Sequence, residues 1–381
     1  MTIQRSIAWA ETMHGHRAGE PSGGVSNFRR AHADSHADVA PGGGATRERR
    51  EEAEDLLFVA GATRSNGSGS REVAEAPDAY RTCFERDRDR IVHGTAFRRL
   101  AGKTQVFVFP EDHQRTRLTH AIEVAQVATA IARATGLNVA LTEAIALGHD
   151  CGHGPGGHAS EDAFSPYIDE GYDHAVWGAD VVLRPLNLCS ETLDGIRNHS
   201  WSRPAPSTPE GEVVSWADRI AYVCHDFEDA CHVGIVEPEA LPASVRSRCG
   251  ERRSRQLDSF IAGVVQTTLE TGAIGMADPL AEALGAFRRF NYDHIYMRPE
   301  SVQQSSSVIR VLRALVEHYA EHPDQLPDHE PGESAPVVDA GTDRAVRRAV
   351  TYVAGMTDRF AFERARTVLG WATTDLPLGI S

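Results

Sequence analysis

The stretch from Arg115 to Glu161 constrains the fold most, because it sets histidines into apolar helical stripes. His120, Val124, Val127 and Ile131 fall at i, i+4, i+7 and i+11, the spacing of one core-facing helix side. Leu141, Ile145 and His149 repeat the pattern, and Asp150 follows directly. Two such helices bury their stripes against each other, so a histidine on one faces a His-Asp pair on the other. Neutral imidazole with carboxylate suits a divalent ion such as Mg, Mn, Fe, Co or Ni better than a thiolate-type zinc site does. A metal centre is therefore expected here.

A third helix supplies another candidate ligand. From Glu212 to Cys231, Val214, Asp218, Tyr222 and Asp226 share one face, with Arg219 beside them. An acid in the middle of an apolar face is costly unless it is paired or bound to metal. Asp218 is the expected fourth ligand. Between the second helix and the third lies His153-Gly-Pro-Gly-Gly-His158. It lacks the Gly-Lys-Ser/Thr ending of a phosphate-cradling loop and follows no strand. Its glycines instead allow tight turns that aim His153 and His158 back at the metal pocket.

Composition narrows the classes around this centre. The 381 residues are 41% hydrophobic, enough for a large core, and carry a formal net charge of −15. An acidic surface gives no support to a nucleic-acid-coating role, although a local basic pocket for phosphate is still allowed. Six scattered cysteines with no C-x-x-C read as reduced thiols, which points to a cytoplasmic location. No long apolar run marks a signal peptide or a membrane span.

Along the chain, residues 1–76 read as a disordered or low-complexity arm rich in Gly, Ser, Ala, Arg and Glu, with a short helix near Glu48–Leu57. Order is expected from about residue 77, with a core to 240 and a helical C-terminal region over 241–381. Lys103 to Phe109 alternates like a short extended arm ended by Pro110. Arg98, Arg99 and Lys103 form a basic cluster open to a phosphate-gripping role. Helices are expected over Asp173–Leu183, Glu191–His199, Leu257–Leu269, Leu280–Phe290, Val308–Tyr319 and Ala345–Val368. Few β-patterned runs exist, so the class is all-α.

His120, His149-Asp150 and Asp218 resemble the H…HD…D pattern of the HD-domain metal phosphohydrolases. Flanking motifs sharpen the resemblance: Arg86 to Ile91, Ala96 to Leu100 with Lys103 to Phe107, Arg115 to His120, Glu143 to Asp150 and Ala354 to Arg359. Together they resemble the deoxynucleoside-triphosphate triphosphohydrolase (dGTPase-like) family over roughly residues 80–370. The resemblance implies an HD-domain helical bundle that hydrolyses a dNTP to deoxynucleoside and inorganic triphosphate. It implies that His120, His149, Asp150 and Asp218 hold a divalent metal and that His158 is the catalytic histidine, oriented by Glu161. His153 would assist catalysis, and His174, Arg117, Arg219, Tyr222 and Asp226 would contact substrate. His199 stands as a candidate for a second ion. The family is commonly homo-oligomeric. Two other readings stay open: an HD-type nucleotidase or phosphodiesterase, and a non-catalytic nucleotide sensor. One departure stands out, since Gly156 occupies a place where many relatives carry an aromatic residue.

Overall fold

Apolar periodicity becomes helix almost throughout the computed structural model, which describes residues 3–17, 28–40, 42, 44–108, 114–327 and 338–377. The expected turn at Phe109–Pro110 and most of the loop around Pro331 lie outside the described residues. The chain divides into two units, Met1–Ala45 and Thr46–Ser381. In the first, a helix over Ile3–Thr12 precedes two short antiparallel strands, with His16 opposite Arg30 and Arg17 opposite Arg29. No helix among the described residues is long and apolar enough to cross a membrane.

The second unit is built on three helices: Arg117–Thr135, Val139–Gly148 and Pro209–His232. Local chemistry sets their ends. Gly136 closes the first in the left-handed region at φ 72°, where a side chain would be strained. Asn138 caps the second by accepting from the Leu141 amide at 3.1 Å. Thr208 caps the third, with Pro209 in its first turn. Their facing stripes, among them Val124, Ile131, Leu141, Ile145, Val214 and Ile220, are fully buried. Each such side chain contributes about 1.5–3 kcal/mol as an upper figure.

A second apolar cluster lies in the C-terminal helices. Pro299–Glu321, Asp343–Ala354 and Asp358–Val368 pack together and onto the short helix Ala159–Phe164, burying Phe164, Val308, Leu312, Leu315 and Val350. The single helix expected over Ala345–Val368 is broken at Gly355–Thr357. Thr357 there accepts from the Phe360 amide at 3.4 Å and starts a new helix. The helix expected over Asp173–Leu183 is likewise divided. Four residues, His174–Trp177, are followed by a wider turn over Gly178–Val182.

The expected arm boundary at 76 does not coincide with the packing, because residues 46–76 lie in the second unit. Arg47–Leu57 is a helix capped by Thr46. Buried Glu54 accepts from the Ser65 amide at 2.6 Å and its hydroxyl at 2.8 Å. Fully buried Glu210 accepts from the Thr63 amide (3.0 Å), the Thr63 hydroxyl (2.7 Å) and the Asn138 amide (3.0 Å). Arg71 is buried against Asp87 at 2.6 Å. The polar composition that read as solvated is satisfied by partners distant in sequence. Glu210→Ala would strand these donors in the interior. It should cost about 3 kcal/mol, read as a lower urea midpoint with an unchanged slope. An unchanged midpoint would show that the segment adds nothing to the core.

Candidate active site

The three central helices bring His120, His149, Asp150 and Asp218 to one point. His120 Nε2 lies 3.0 Å from Asp218 Oδ1 and 3.9 Å from Asp150 Oδ2. His149 Nε2 lies 3.5 Å from Asp150 Oδ1 and 3.7 Å from Asp218 Oδ1. The ligand atoms of His120, His149 and Asp218 all fall within 4.8 Å of one another.

The tautomer of His149 decides what this point needs. Its Nδ1 sits 2.7 Å from the Ala146 carbonyl, an acceptor, so the proton of the neutral ring is on Nδ1. Nε2 then presents a bare lone pair, buried and without a hydrogen-bond partner, toward two carboxylates. A buried lone pair facing anionic oxygens is repulsive, and a cation between them would turn the repulsion into coordination. The four residues therefore fit a divalent ion. Both carboxylates are held ionised. Burial would raise the Asp150 pKa, but Arg117, His149 and His153 outweigh it and hold it well below the usual range. Asp218 is depressed in the same way, burial being overcome by His120 and His149.

A second cluster stands beside the first and contains His153, His158, Glu161 and His174. Glu161 joins three of its groups. Its Oε2 is 3.1 Å from His158 Nδ1, and its Oε1 accepts from the His174 amide (3.0 Å) and lies 2.7 Å from His174 Nδ1. Burial opposes the Glu161 charge, yet the hydrogen bonds from His158 and His174 push its pKa far down. His158 is the open member, with 74% of its side chain exposed. His153 is fully buried, 3.0 Å from Asp150, and its ring stacks on His174 at 3.6 Å. Burial and then Arg117 keep His153 well below the ordinary histidine range. His174 Nε2 faces His199 Nε2 at 3.3 Å. Burial, with His149 and His174 nearby, lowers His199 to about 4, whereas Glu161 more than offsets burial at His174 and raises it.

Both clusters open into one cavity of about 560 Å³. Of the expected substrate contacts, Arg117 is buried with Nη1 on Asp150 at 2.8 Å, leaving Nε and Nη2 without partners. Arg219 lies over the Trp201 ring at 3.7 Å and has an unpartnered Nε. Tyr222 accepts from Arg288 Nε at 2.9 Å. Asp226 is on the wall, but both its oxygens are engaged, one by Arg115 and one by the Tyr296 hydroxyl. Lys103 departs from the sequence-based expectation of a phosphate contact. It is buried and donates to the carbonyls of His153 and Ala354. Arg99 does not line this cavity.

The loop 153–158 is fixed by groups that sequence reasoning missed. Asp358 Oδ1 accepts from the Gly156 amide at 2.8 Å, and its Oδ2 accepts from the Thr104 amide (2.9 Å) and hydroxyl (2.5 Å). Gly156 and Gly157 are left-handed, at φ 73° and 63°. The space beside Gly156 is filled by Val308, whose Cγ1 would lie 2.4 Å from an added Cβ. Gln105, Arg288, Tyr296 and Gln304 also line the cavity. The pair Tyr292 and Tyr296, four apart and just after Arg288-Arg289, was the only sequence trace of that wall. Gly157→Ala would place a Cβ 2.6 Å from Arg117 Nη2 and 2.9 Å from the Thr104 carbonyl, in a strained backbone region. It should lower stability by about 1–3 kcal/mol in thermal unfolding. An unshifted transition would contradict the packing of the loop on Arg117.

Comparison with known proteins meets the same residues. Residues 117–223 match the HD domain, and residues 274–367 match the phosphohydrolase-associated domain. Three curated relatives carry the name deoxyguanosinetriphosphate triphosphohydrolase-like protein. That of Caldanaerobacter subterraneus subsp. tengcongensis is 39% identical over 330 residues, 84% of this chain and 95% of its own. That of Clostridium perfringens is 37% identical over 331 residues, covering 82% and 94%. That of Desulfatibacillum aliphaticivorans is 36% identical over 341 residues, covering 84% and 97%.

Proposed function

Since the chain belongs to the deoxyguanosinetriphosphate triphosphohydrolase-like family of HD-domain phosphohydrolases, we propose that it hydrolyses a deoxynucleoside triphosphate to deoxynucleoside and inorganic triphosphate. The observation that carries this reading is His158, exposed in the cavity and tied through Nδ1 to Glu161 beside the His/Asp quartet.

In this reading His120, His149, Asp150 and Asp218 hold a divalent ion, Mg²⁺ or Mn²⁺, with Fe, Co and Ni compatible with the same donors. The ion would supply Lewis-acid charge to the α-phosphoryl group and acidify water for attack. Water oxygen bonds to the α-phosphorus, and the bond from phosphorus to O5′ breaks. The departing alkoxide is a poor leaving group until it is protonated. His158, with Nδ1–H donated to Glu161, presents Nε2–H to O5′ and delivers that proton. Glu161 stays ionised throughout and fixes the ring orientation. His174, held by the same carboxylate, keeps Glu161 in place. His153 braces Asp150 from the loop side. Arg117 and Arg219 line the cavity and would offer guanidinium donors to the triphosphate. Tyr222, fixed by Arg288, would in this reading crowd a 2′-hydroxyl on the sugar and so favour deoxyribose. The phosphate grip is local, so an overall charge of −15 does not oppose it.

The test is product analysis. Incubation with each dNTP and Mn²⁺ or Mg²⁺ should give deoxynucleoside and inorganic triphosphate in equal amounts. His158→Ala should lower kcat by about 10²–10⁴-fold at unchanged metal content. Release of orthophosphate or pyrophosphate would overturn the reaction assigned. An unaffected kcat in His158→Ala would remove its role as acid.

A further inference from the structure

A second cavity, of about 710 Å³, lies on the far side of the turn Gly355–Thr357. Its charged lining consists of Arg99, Arg344, Arg347 and Arg348. Three of these come from one helix at i, i+3 and i+4, so they share a face. The opposite face of that helix buries Ala345, Ala349, Val350 and Val353, which fixes the arginine face outward toward the cavity. No carboxylate lines the cavity among the described residues. Among the described residues no ion pair involves Arg344, Arg347 or Arg348. Arg347 also lies over the Trp177 ring at 5.2 Å. Arg99 donates to the Gly355 carbonyl at 3.1 Å and holds the turn against the cavity.

Four guanidiniums with no counter-charge among the described residues are unusual in a chain of net charge −15, because like charges gathered in one concavity repel. An anion removes that repulsion, and guanidinium grips phosphate oxygens in a fork. The remaining polar lining is hydroxyl only, from Thr351, Tyr352 and Thr357. No amide or carboxylate side chain is there to read a base edge or a sugar hydroxyl. The candidate active site, by contrast, is lined by Gln105, Gln304, Ser301 and Asp226. Beside the apolar Leu326, Pro327, Met356 and Phe360, the polar donors of this cavity thus suit charge, and several charges close together.

We propose that this cavity is a second anion site that binds an inorganic oligophosphate. The site rests on its own geometry. Only the choice of triphosphate as the probe draws on the reading of the active site. Its wall is shared with the loop clamp, since Lys103 joins the Ala354 carbonyl to that of His153, and Asp358 joins the next helix to Gly156.

Calorimetric titration of inorganic triphosphate into the full chain in Mg²⁺ buffer should show two binding events. Arg344→Ser/Arg348→Ser should weaken one of them at least about tenfold and leave thermal stability unchanged, since Arg344 is exposed and Arg348 half-buried. Arg219→Ser should weaken only the other. Added salt should weaken the arginine-cavity event steeply. Identical titrations for wild type and the double variant would overturn the proposal. So would an event at this cavity seen with a non-hydrolysable dNTP and not with triphosphate. If wild type shows only the event that the double variant loses, the active-site reading fails while this one stands.

Discussion

The Ala146 carbonyl fixes the proton of His149, and much of the site follows from that hydrogen bond of 2.7 Å. It leaves a buried nitrogen lone pair pointing at Asp150 and Asp218. Two carboxylates and two imidazoles converge where burial disfavours charge. Arg117 neutralises part of the excess through Asp150, and a divalent ion held by the quartet would balance the rest. The surrounding helices can be read as a frame for this demand. Arg117 and His120 sit one turn apart at a helix start, His149 and Asp150 close a second helix, and Asp218 lies on a third.

The second cluster is held from the C-terminal side. Glu161 organises His158 and His174, but Glu161 is carried by a short helix that belongs to the C-terminal core. Two buried charged groups join the cores across the loop 153–158. Lys103 bridges the carbonyls of His153 and Ala354, and Asp358 bridges Thr104 and Gly156. Burial lowers the Lys103 pKa to about 8. Such groups are costly unless hydrogen-bonded; here Lys103 donates to two carbonyls, and both Asp358 oxygens accept. This places the C-terminal helices within the machinery of the site, where they fix the loop from outside.

How far the sequence could be read follows the range of each interaction. The all-α class was legible because helical periodicity is local. So was the gathering of His120, His149, Asp150 and Asp218, since a polar residue inside an apolar stripe is visible within one helix. The pairing of His158 with Glu161 spans three residues and was legible too. Asp358 was not, because its partner Gly156 is 202 positions away. Residues 46–76 looked like a solvated arm because Glu54, Thr63 and Arg71 are polar. Their burial is seen only with Ser65, Glu210 and Asp87 in place. The break at Gly355–Thr357 was signalled by a glycine and a capping threonine inside a helical pattern, a local cue that periodicity masked.

The central claim is that the quartet requires a cation. The most direct measurement is equilibrium dialysis of the purified chain against Mn²⁺, followed by metal analysis, for wild type and for Asp218→Ala. The account predicts a tightly held ion in wild type and a loss of at least about tenfold in affinity in the variant, with helical content preserved. A wild-type chain that holds no ion, or a variant that holds it equally well, would contradict it.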